Sequence, residues 1–149
     1  MEIRRAKLED VPAIYSCCVE SFKNYILLIG RTPEPMLEDY YEGALHHHPF
    51  IVLHGDSIAG FILVKDGEVD FMWLDVLAIH PDCKNKGIGK ALIAFCEDFI
   101  RSMGKSECRL YTHLKYERTQ SIYFDSGYEI YDRMQEDGFD RYYMRKKIN

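Results

Sequence analysis

The stretch that decides the fold runs from Leu74 to Leu92 and reads LDVLAIHPDCKNKGIGKAL. Its first half is an apolar run interrupted by one acid, Asp75, which predicts a buried strand. A basic loop with two glycines follows, and from Gly87 onward the apolar residues recur at helical spacing. We expect one apolar stripe on that helix, formed by Ile88, Ala91, Leu92, Phe95, Phe99 and Met103. We expect four polar residues to lie off the stripe, namely Lys90, Glu97, Asp98 and Arg101.

This succession of strand, loop and helix is typical of a site for a phosphate group. A helix N-terminus presents backbone amides without intrahelical partners, together with the positive end of the helix dipole. Between residues 82 and 90, three lysines and one aspartate give a local charge of +2, whereas the net charge of the chain is −5. The contrast predicts an anionic ligand at the loop.

Two well-known phosphate-binding loops do not fit this stretch. In a Walker A loop, Lys84 would replace the first glycine, and Ala91 would replace the hydroxyl residue that holds magnesium. The dinucleotide-binding fingerprint matches at Gly87 and Gly89, but Leu92 occupies the position of its third glycine. Both alternatives are therefore excluded.

The segment Lys84–Gly89 (KNKGIG) resembles the pyrophosphate loop of the GNAT acetyltransferase superfamily, Arg/Gln-x-x-Gly-x-Gly/Ala. In that family the preceding strand ends in Ala-Val/Ile-x-Pro, as Ala78–Pro81 does here. Tyr123–Tyr128 (YFDSGY) is similar to the Tyr-x-x-x-Gly-Phe/Tyr at the end of the family's last helix. Lys84 departs from the usual Arg or Gln. Asn85 stands where many members have glycine, and asparagine tolerates a positive φ better than most residues.

The resemblance implies that acetyl-CoA is the cosubstrate and that no metal takes part. Three residues of the strand would offer their backbone to the pantetheine arm, namely Leu77, Ala78 and Ile79. The amides of the loop would hold the diphosphate, and they belong to Lys84, Asn85, Lys86, Gly87, Ile88, Gly89 and Lys90. An amide near Leu77 would polarise the thioester carbonyl, an oxyanion contact worth roughly 3–4 kcal/mol.

Tyr123 is the candidate general acid, again from the resemblance. In many family members a tyrosine at this place protonates the leaving thiolate of CoA, and a pKa of about 10 keeps tyrosine protonated at neutral pH. The alternative role is packing, because the chain contains 11 tyrosines. The asparagine that many relatives place before this tyrosine is absent, with Tyr116 and Thr119 at the two usual positions.

Asp75 is the candidate general base. A lysine-like amine with a pKa of about 10.4 is mostly protonated at pH 7, a handicap of about 4.6 kcal/mol for attack on a thioester. A carboxylate at the end of the central strand could relay that proton, directly or through water. A structural hydrogen bond is an equally good explanation for an acid in an apolar strand, since a buried acid requires a partner. His113 and Asp70 are weaker candidates for the base.

The rest of the chain predicts further strands and helices. Before the central strand, we expect a strand over residues 2–6, a helix from about residue 8, a second helix over about 35–46, and a hairpin of strands 50–53 and 58–64. After the long helix, we expect a strand over 108–112, a helix over about 117–126, and strands over about 129–133 and 141–147. The fold class is therefore α/β (mixed α+β), in one domain over residues 1–149. The resemblance implies the GNAT fold, a mostly antiparallel sheet of about seven strands with a splayed parallel pair and about four helices.

Composition and patterning exclude several classes of protein. Hydrophobic residues make up 47% and charged residues 29% of the chain, which is ordinary for a soluble globular protein. We expect no membrane partner, since neither a long apolar run nor a signal peptide is evident. The net acidity argues against nucleic acid as a partner. Five cysteines without a Cys-x-x-Cys pair predict free thiols and a cytoplasmic location, and the consecutive His46–His48 predicts a solvated helix end rather than a metal site.

Two hypotheses for the function stay open at this point. The first is an N-acetyltransferase that moves the acetyl group of acetyl-CoA to a primary amine of a small molecule or peptide by direct attack in a ternary complex. The alternative is a non-catalytic acyl-CoA-binding or sensor module of the same fold. The acidity of the chain favours a cationic acceptor, and the last two strands could pair across a homodimer. Candidates for the wall of the acceptor site are Tyr25, Arg31, Met36, Tyr40 and Tyr41.

Overall fold

A computed structural model describes residues 1–149, and its centre is one mixed sheet of seven strands. The strands are β1 Glu2–Arg5, β2 His48–His54, β3 Ser57–Asp66, β4 Phe71–Ile79, β5 Glu107–His113, β6 Glu129–Glu136 and β7 Phe139–Lys147. They lie in the order β1-β2-β3-β4-β5-β7-β6, and β4 and β5 form the one parallel pair. The predicted fold class and the mostly antiparallel sheet are confirmed.

The helices differ from the prediction between the first helix and β2. The five α-helices are α1 Val11–Phe22, α2 Tyr25–Ile29, α3 Tyr40–His46, α4 Ile88–Ser102 and α5 Glu117–Asp125. Short 3-10 turns lie at Leu8–Asp10, Glu34–Leu37 and Pro81–Cys83. The helix predicted over 35–46 is wrong in its first half, because the backbone at Glu38 is extended. The helix begins only after Asp39, whose carboxylate caps α3 by accepting hydrogen bonds from the Tyr41 and Glu42 amides at 3.1 Å. The short helix α2 has no counterpart in the predictions, and no helix of the structure is both long and apolar enough to cross a membrane.

Each face of the sheet carries a hydrophobic core. Helix α4 covers one face, where Leu92, Leu110 and Met144 have no exposed surface. Helices α1 and α3 cover the other face over β3 and β4, around Ile14 and Phe61. The functional site lies where this second layer of helices ends.

The buried side of α4 is rotated from the predicted stripe: Ile88 and Leu92 are buried as predicted, Ala91, Phe95 and Phe99 are only partly buried, and the unpredicted Ile93, Cys96 and Ile100 are buried. Two further residues depart from the prediction more strongly. Met103, expected on the stripe, is 46% exposed, because the helix ends at Ser102. Glu97, expected off the stripe, is buried: its carboxylate accepts hydrogen bonds from the Tyr128 hydroxyl and the Lys146 ammonium, both at 2.9 Å. A hydrophobic pattern does not reveal such a residue, because a polar group can be buried once it is hydrogen-bonded.

Strands β4 and β5 diverge toward their C-terminal ends. They pair only over Phe71–Trp73 and Glu107–Arg109. Beyond these residues β4 stays paired with β3 and β5 stays paired with β7, so that a wedge opens between them. The predicted splayed parallel pair is confirmed.

A β-bulge lies in β4 at the start of the wedge. Pairing with β3 steps from Leu74 opposite Val64 to Val76 opposite Leu63, which leaves Asp75 as the extra residue. Bulges bend a strand and re-aim a side chain, and they are common beside active sites. The bulge therefore sets the direction of the Asp75 side chain, the acid that interrupts the apolar run.

Candidate active site

The loop between β4 and α4 presents a row of free backbone amides. From Asn85 to Lys90 no amide donates a hydrogen bond within the chain, and the first amide of the helix to do so is that of Ala91, to the Gly87 carbonyl at 3.1 Å. No side chain caps the helix, which continues for 15 residues. Unpaired amides at the positive end of a helix dipole form a site that can bind an anion such as a diphosphate.

The loop conformation explains its residue types. Asn85 has a φ of 63° and Gly87 a φ of 76°, so both lie in the left-handed region. Gly89 is required by packing instead, because a Cβ atom there would lie 2.9 Å from the Ile79 side chain and 3.3 Å from that of Ile122. Gly87 is therefore required by the turn, whereas Gly89 allows α4 to pack closely against β4 and α5.

Four cations surround these amides. The side chains of Lys84, Lys86 and Lys90 are exposed and form no ion pair with a carboxylate. Arg118, in the first turn of α5, joins them by donating to the amide oxygen of Asn85 at 3.0 Å. Sequence analysis missed Arg118, which carries no signal of its own in an ordinary helical segment.

A trough leads from the loop into the wedge. One side is formed by the end of β4, where the structure places the three predicted donor-binding residues Leu77, Ala78 and Ile79. The opposite side comes from α1, α2 and α5. The Ser21 hydroxyl of α1 donates to the Ile79 carbonyl at 2.9 Å and so ties α1 to the end of the strand.

The trough opens into a cavity within the wedge, and both are lined by Phe22, Leu77 and Thr119. Three carboxylates line the cavity, those of Glu34, Glu38 and Asp75. Five aromatic rings line it as well, those of Phe22, Tyr111, Tyr116, Tyr123 and Phe139. The loop, the trough and the cavity thus form one continuous depression.

Asp75 is at the centre of a charged cluster in this cavity. Its carboxylate accepts a hydrogen bond from the Tyr111 hydroxyl at 3.2 Å and pairs with the Lys65 ammonium at 3.2 Å. Lys65 also donates to Glu38 at 2.9 Å, so two carboxylates share one ammonium. Burial raises the pKa of the Glu38 carboxyl above its ordinary value, and Lys65 opposes that rise. Glu38 therefore joins Asp75 as a group that can exchange a proton in the cavity.

Tyr123 lines the same cavity, and its hydroxyl forms no hydrogen bond within the chain. The residue is 3% exposed and lies in the core beside Tyr128, with ring centroids 5.9 Å apart. The Tyr123 hydroxyl has no hydrogen-bond partner in the chain. It is nevertheless accessible to solvent, because Nδ1 of His47 is the one fully buried side-chain polar atom without a partner. Burial raises the pKa of Tyr123 well above its ordinary value, so the hydroxyl stays protonated.

A second charged cluster closes the outer side of the cavity. The guanidinium of Arg141 donates to Glu34 at 2.7 Å and pairs with Glu136 at 3.3 Å. This guanidinium also lies 4.7 Å above the Tyr111 ring, so that Tyr111 contacts both clusters. In each cluster two carboxylates share one cation, which leaves the cavity with an excess of negative charge.

The remaining sequence candidates take other places. His113 lines the cavity, and burial lowers its pKa, so it is neutral at physiological pH. Asp70 lies outside the cavity in an exposed turn before β4. None of the five expected wall residues lines the cavity: Tyr25 lines the trough, Arg31 binds the Asp137 carbonyl, Met36 and Tyr40 pack in the core, and Tyr41 is exposed.

No group of three His, Cys, Asp or Glu side chains is arranged to hold a metal ion. The expectation of a solvated helix end at His46–His48 is wrong for His48, which is half-buried in β2 and pairs with Asp66 at 3.1 Å.

Comparison with known proteins decides the family. A model of the acetyltransferase (GNAT) family matches residues 12–128. The chain belongs to the GNAT acetyltransferase family, and it is an acyltransferase. A spermidine N(1)-acetyltransferase from Thermoplasma acidophilum is 35% identical to it, over 99% of this chain and 97% of that protein.

Solved structures agree with this assignment. A PaiA N-acetyltransferase from Thermoplasma acidophilum, in complex with coenzyme A, superposes with a TM-score of 0.82 at 25% identity, over 98% of both chains. A ribosomal-protein-S18-alanine N-acetyltransferase from Escherichia coli has a TM-score of 0.79 at 18% identity, over 99% of this chain and 93% of that one, and shows the fold alone.

Sequence reasoning missed three residues that line the cavity of the acetyltransferase and two cations that pair with its acids, and these five are Glu34, Glu38, Tyr111, Lys65 and Arg141. The sequence held one signal for Glu34 and Glu38, because the proline-containing segment 34–39 (EPMLED) contains three acidic residues. The others lie in strands as ordinary polar or aromatic residues. Only the sheet register and the wedge bring them together.

Proposed function

We propose that this acetyltransferase moves the acetyl group of acetyl-CoA to a primary amine of a cationic small molecule of the polyamine type, by direct attack in a ternary complex. One observation carries the proposal: a single depression joins the free amides of the loop to the acidic, aromatic cavity. An anionic donor fits at one end and a cationic acceptor at the other. The two meet beside Leu77, at the bulged part of β4.

The residues at the donor end suit a diphosphate. Six consecutive amides are free, and Lys84, Lys90 and Arg118 line the depression at the loop, with the exposed Lys86 beside them. The unpaired edge of β4 at Leu77, Ala78 and Ile79 is free to bond a pantetheine arm as an added strand, since β5 has diverged there. Acetyl-CoA bound in this way supplies the activated acetyl group as a thioester.

The residues at the acceptor end suit an ammonium group. Each of the two charged clusters has one carboxylate more than it has cations. Aromatic faces such as those of Tyr111 and Tyr116 attract cations through their quadrupoles. The relative whose name specifies spermidine as its substrate is consistent with this chemistry, because polyamines are flexible chains of methylene groups between ammonium groups.

The reaction needs one group that takes a proton from the attacking amine and another that gives a proton to the leaving thiolate. Asp75 and Glu38 are the groups we assign to take the proton of the amine, directly or through water. Tyr123 is the group we assign to protonate the leaving thiolate, because its free hydroxyl faces the cavity. The amide near Leu77 stabilises negative charge on the thioester oxygen in this scheme.

An amine panel tests the proposal. The protein is incubated with acetyl-CoA and with spermidine, a simple diamine, a monoamine or a short peptide, and free thiol is measured over time. We expect amine-dependent thiol release, fastest with the acceptors that carry more than one ammonium group. Thermal stabilisation by acetyl-CoA without thiol release for any amine would identify a sensor module instead.

The donor site has a matched pair of glycines at the two ends of α4. Gly87 and Gly104 have φ values of 76° and 78°, and a Cβ atom at either would meet nothing within 4 Å. Gly87→Glu and Gly104→Glu should therefore cost similar stability, roughly 1–2 kcal/mol each. Only Gly87→Glu should abolish acetyl-CoA binding in calorimetry. Equal affinity in the two variants would refute the assignment of the loop.

A further inference from the structure

Lys65 lies between two carboxylates that come from distant parts of the chain. It is near the end of β3, opposite Trp73 of β4, and its ammonium is 2.9 Å from Glu38 and 3.2 Å from Asp75. The side chains of Lys65, Glu38 and Asp75 are 25%, 20% and 8% exposed, so water screens the three charges only weakly. Lys65 is the one ammonium in contact with both acids.

The backbone at Glu38 and the side chain of Asp75 are held in place by contacts that do not involve Lys65. The Tyr15 hydroxyl of α1 donates to the Glu38 carbonyl at 3.3 Å and accepts from the Tyr40 amide at 3.0 Å. Asp75 is directed by the bulge and by the Tyr111 hydroxyl. Without the ammonium, the two carboxylates would lie near each other in a half-buried cavity with no cation between them, and one of them would take up a proton at a higher pH than in the parent.

We propose that Lys65 is a positioning residue whose ammonium keeps Glu38 and Asp75 ionised side by side, so that the cavity is able to accept the proton of the amine. The proposal rests on the proposed function of the cavity. Lys65 itself touches neither the acetyl group nor the acceptor in this scheme, since it does not line the cavity.

The other groups around the pair do not replace Lys65. Those that face it from the packed elements are Tyr15 and Cys18 of α1, Glu34 of the 3-10 turn, Tyr40 of α3, Tyr111 of β5, Tyr123 of α5 and Arg141 of β7. Arg141 is the one cation among them, and it is paired with Glu34 and Glu136. Burial acts to lower the pKa of Lys65, but the two acids outweigh it and hold that pKa above the ordinary value, so the ammonium stays charged.

The first test compares Lys65→Met with Lys65→Arg. We measure kcat against pH at saturating acetyl-CoA and amine for each protein and compare the position of the acid limb with that of the parent, since the titration of the acceptor is common to all of them. In Lys65→Met the acid limb should move up by about 1–3 pH units, the size expected when an opposite charge is removed from a carboxylate. Lys65→Arg should keep the limb near that of the parent. Lys7→Met, which removes an exposed lysine beside Glu9, is the matched control and should change nothing.

A second variant predicts a shift of the opposite sign. In Glu38→Gln, Asp75 no longer shares its ammonium with another carboxylate, so the acid limb should move to lower pH. A limb that stays in place in Lys65→Met, or moves up in Glu38→Gln, would overturn the proposal. A merely structural role of Lys65 would lower the amount of active protein equally at every pH.

A third measurement does not depend on activity. At pH 5 the facing carboxylates of Lys65→Met can take up a proton, whereas at pH 8 both are charged. The melting temperature of Lys65→Met should therefore fall further below that of the parent at pH 8 than at pH 5. An equal deficit at both pH values would refute the role of Lys65. If instead Lys65→Met shows this stability pattern but the parent releases no thiol with any amine, the proposed function fails while the role of Lys65 stands.

Discussion

The proposed diphosphate site offers the free amides of consecutive residues 85–90, whereas the proposed acceptor cavity takes Glu34, Glu38, Asp75 and Tyr111 from three separate segments. In the loop the side chains matter little beyond two glycines, an asparagine and a general positive charge. In the cavity each side chain has its own partner at a defined distance. A site made of local backbone can be recognised in a sequence, and a site assembled from distant side chains cannot.

The contrast also separates two kinds of effect. Changes in the loop should alter the affinity for acetyl-CoA and leave turnover nearly intact. Changes in the cavity should alter turnover and its dependence on pH while leaving the affinity for acetyl-CoA unchanged. The predictions below test this division, beginning with the largest expected effect.

Tyr123→Phe should reduce kcat by about 10²–10⁴-fold, the usual range for the loss of a general acid. The ring remains in the core, and no hydrogen bond within the chain is lost, because the hydroxyl has no partner there. We therefore expect little change in melting temperature or in affinity for acetyl-CoA, which steady-state kinetics and calorimetry would measure. Such a pattern marks an interaction made mainly in the transition state.

The neighbouring Tyr128 supplies the control for this experiment. Its hydroxyl donates to the buried Glu97 carboxylate at 2.9 Å, away from the cavity. Tyr128→Phe should lower the free energy of unfolding by about 1–3 kcal/mol, because a buried acceptor loses a partner, with normal turnover per folded molecule. If Tyr123→Phe behaved like Tyr128→Phe, Tyr123 would be a packing residue and not an acid.

Asp75→Asn should lower kcat most at low pH, where the neutral amine is scarcest and a proton acceptor matters most. Asparagine can still accept from the Tyr111 hydroxyl, so the local structure should survive. The measurement is the pH–rate profile at saturating substrates, together with acetyl-CoA affinity, which should stay constant. An unaltered profile would assign the proton transfer to Glu38, His113 or water.

Lys84→Ala should weaken acetyl-CoA binding only about two- to fivefold, since an exposed ion pair is worth about 0.2–1 kcal/mol. Arg118→Ala should have an effect of similar size, because Arg118 also lies at the edge of the loop. The loss should shrink as salt is added, since exposed charges are screened. Calorimetry at two ionic strengths measures this, with Lys7→Ala as a remote control. A loss of a hundredfold for either variant would mean that side chains, and not amides, carry the phosphate site.

Much of the fold was predicted from residues that act locally. The switch from an apolar run to helical spacing at Gly87 gave the boundary between the strand–loop segment and the start of α4. The failures lie where a distant contact overrides the local pattern. Glu97 is buried because Tyr128 and Lys146 reach it. The late start of α3 is the exception, because the Asp39 cap that sets it is a local contact.

The candidate site divides in the same way. The sequence by itself determined the loop proposed to bind the diphosphate, because free amides, a left-handed turn and a helix N-terminus are properties of a few consecutive residues. It also singled out Asp75 and Tyr123, the first as an acid in an apolar strand and the second by its place in a family motif. Only the tertiary structure decided the partners of Asp75. Which acids, rings and cations meet in the wedge depends on the register of β3, on the bulge in β4 and on the divergence of β4 from β5, and these are set by contacts between residues far apart in the chain.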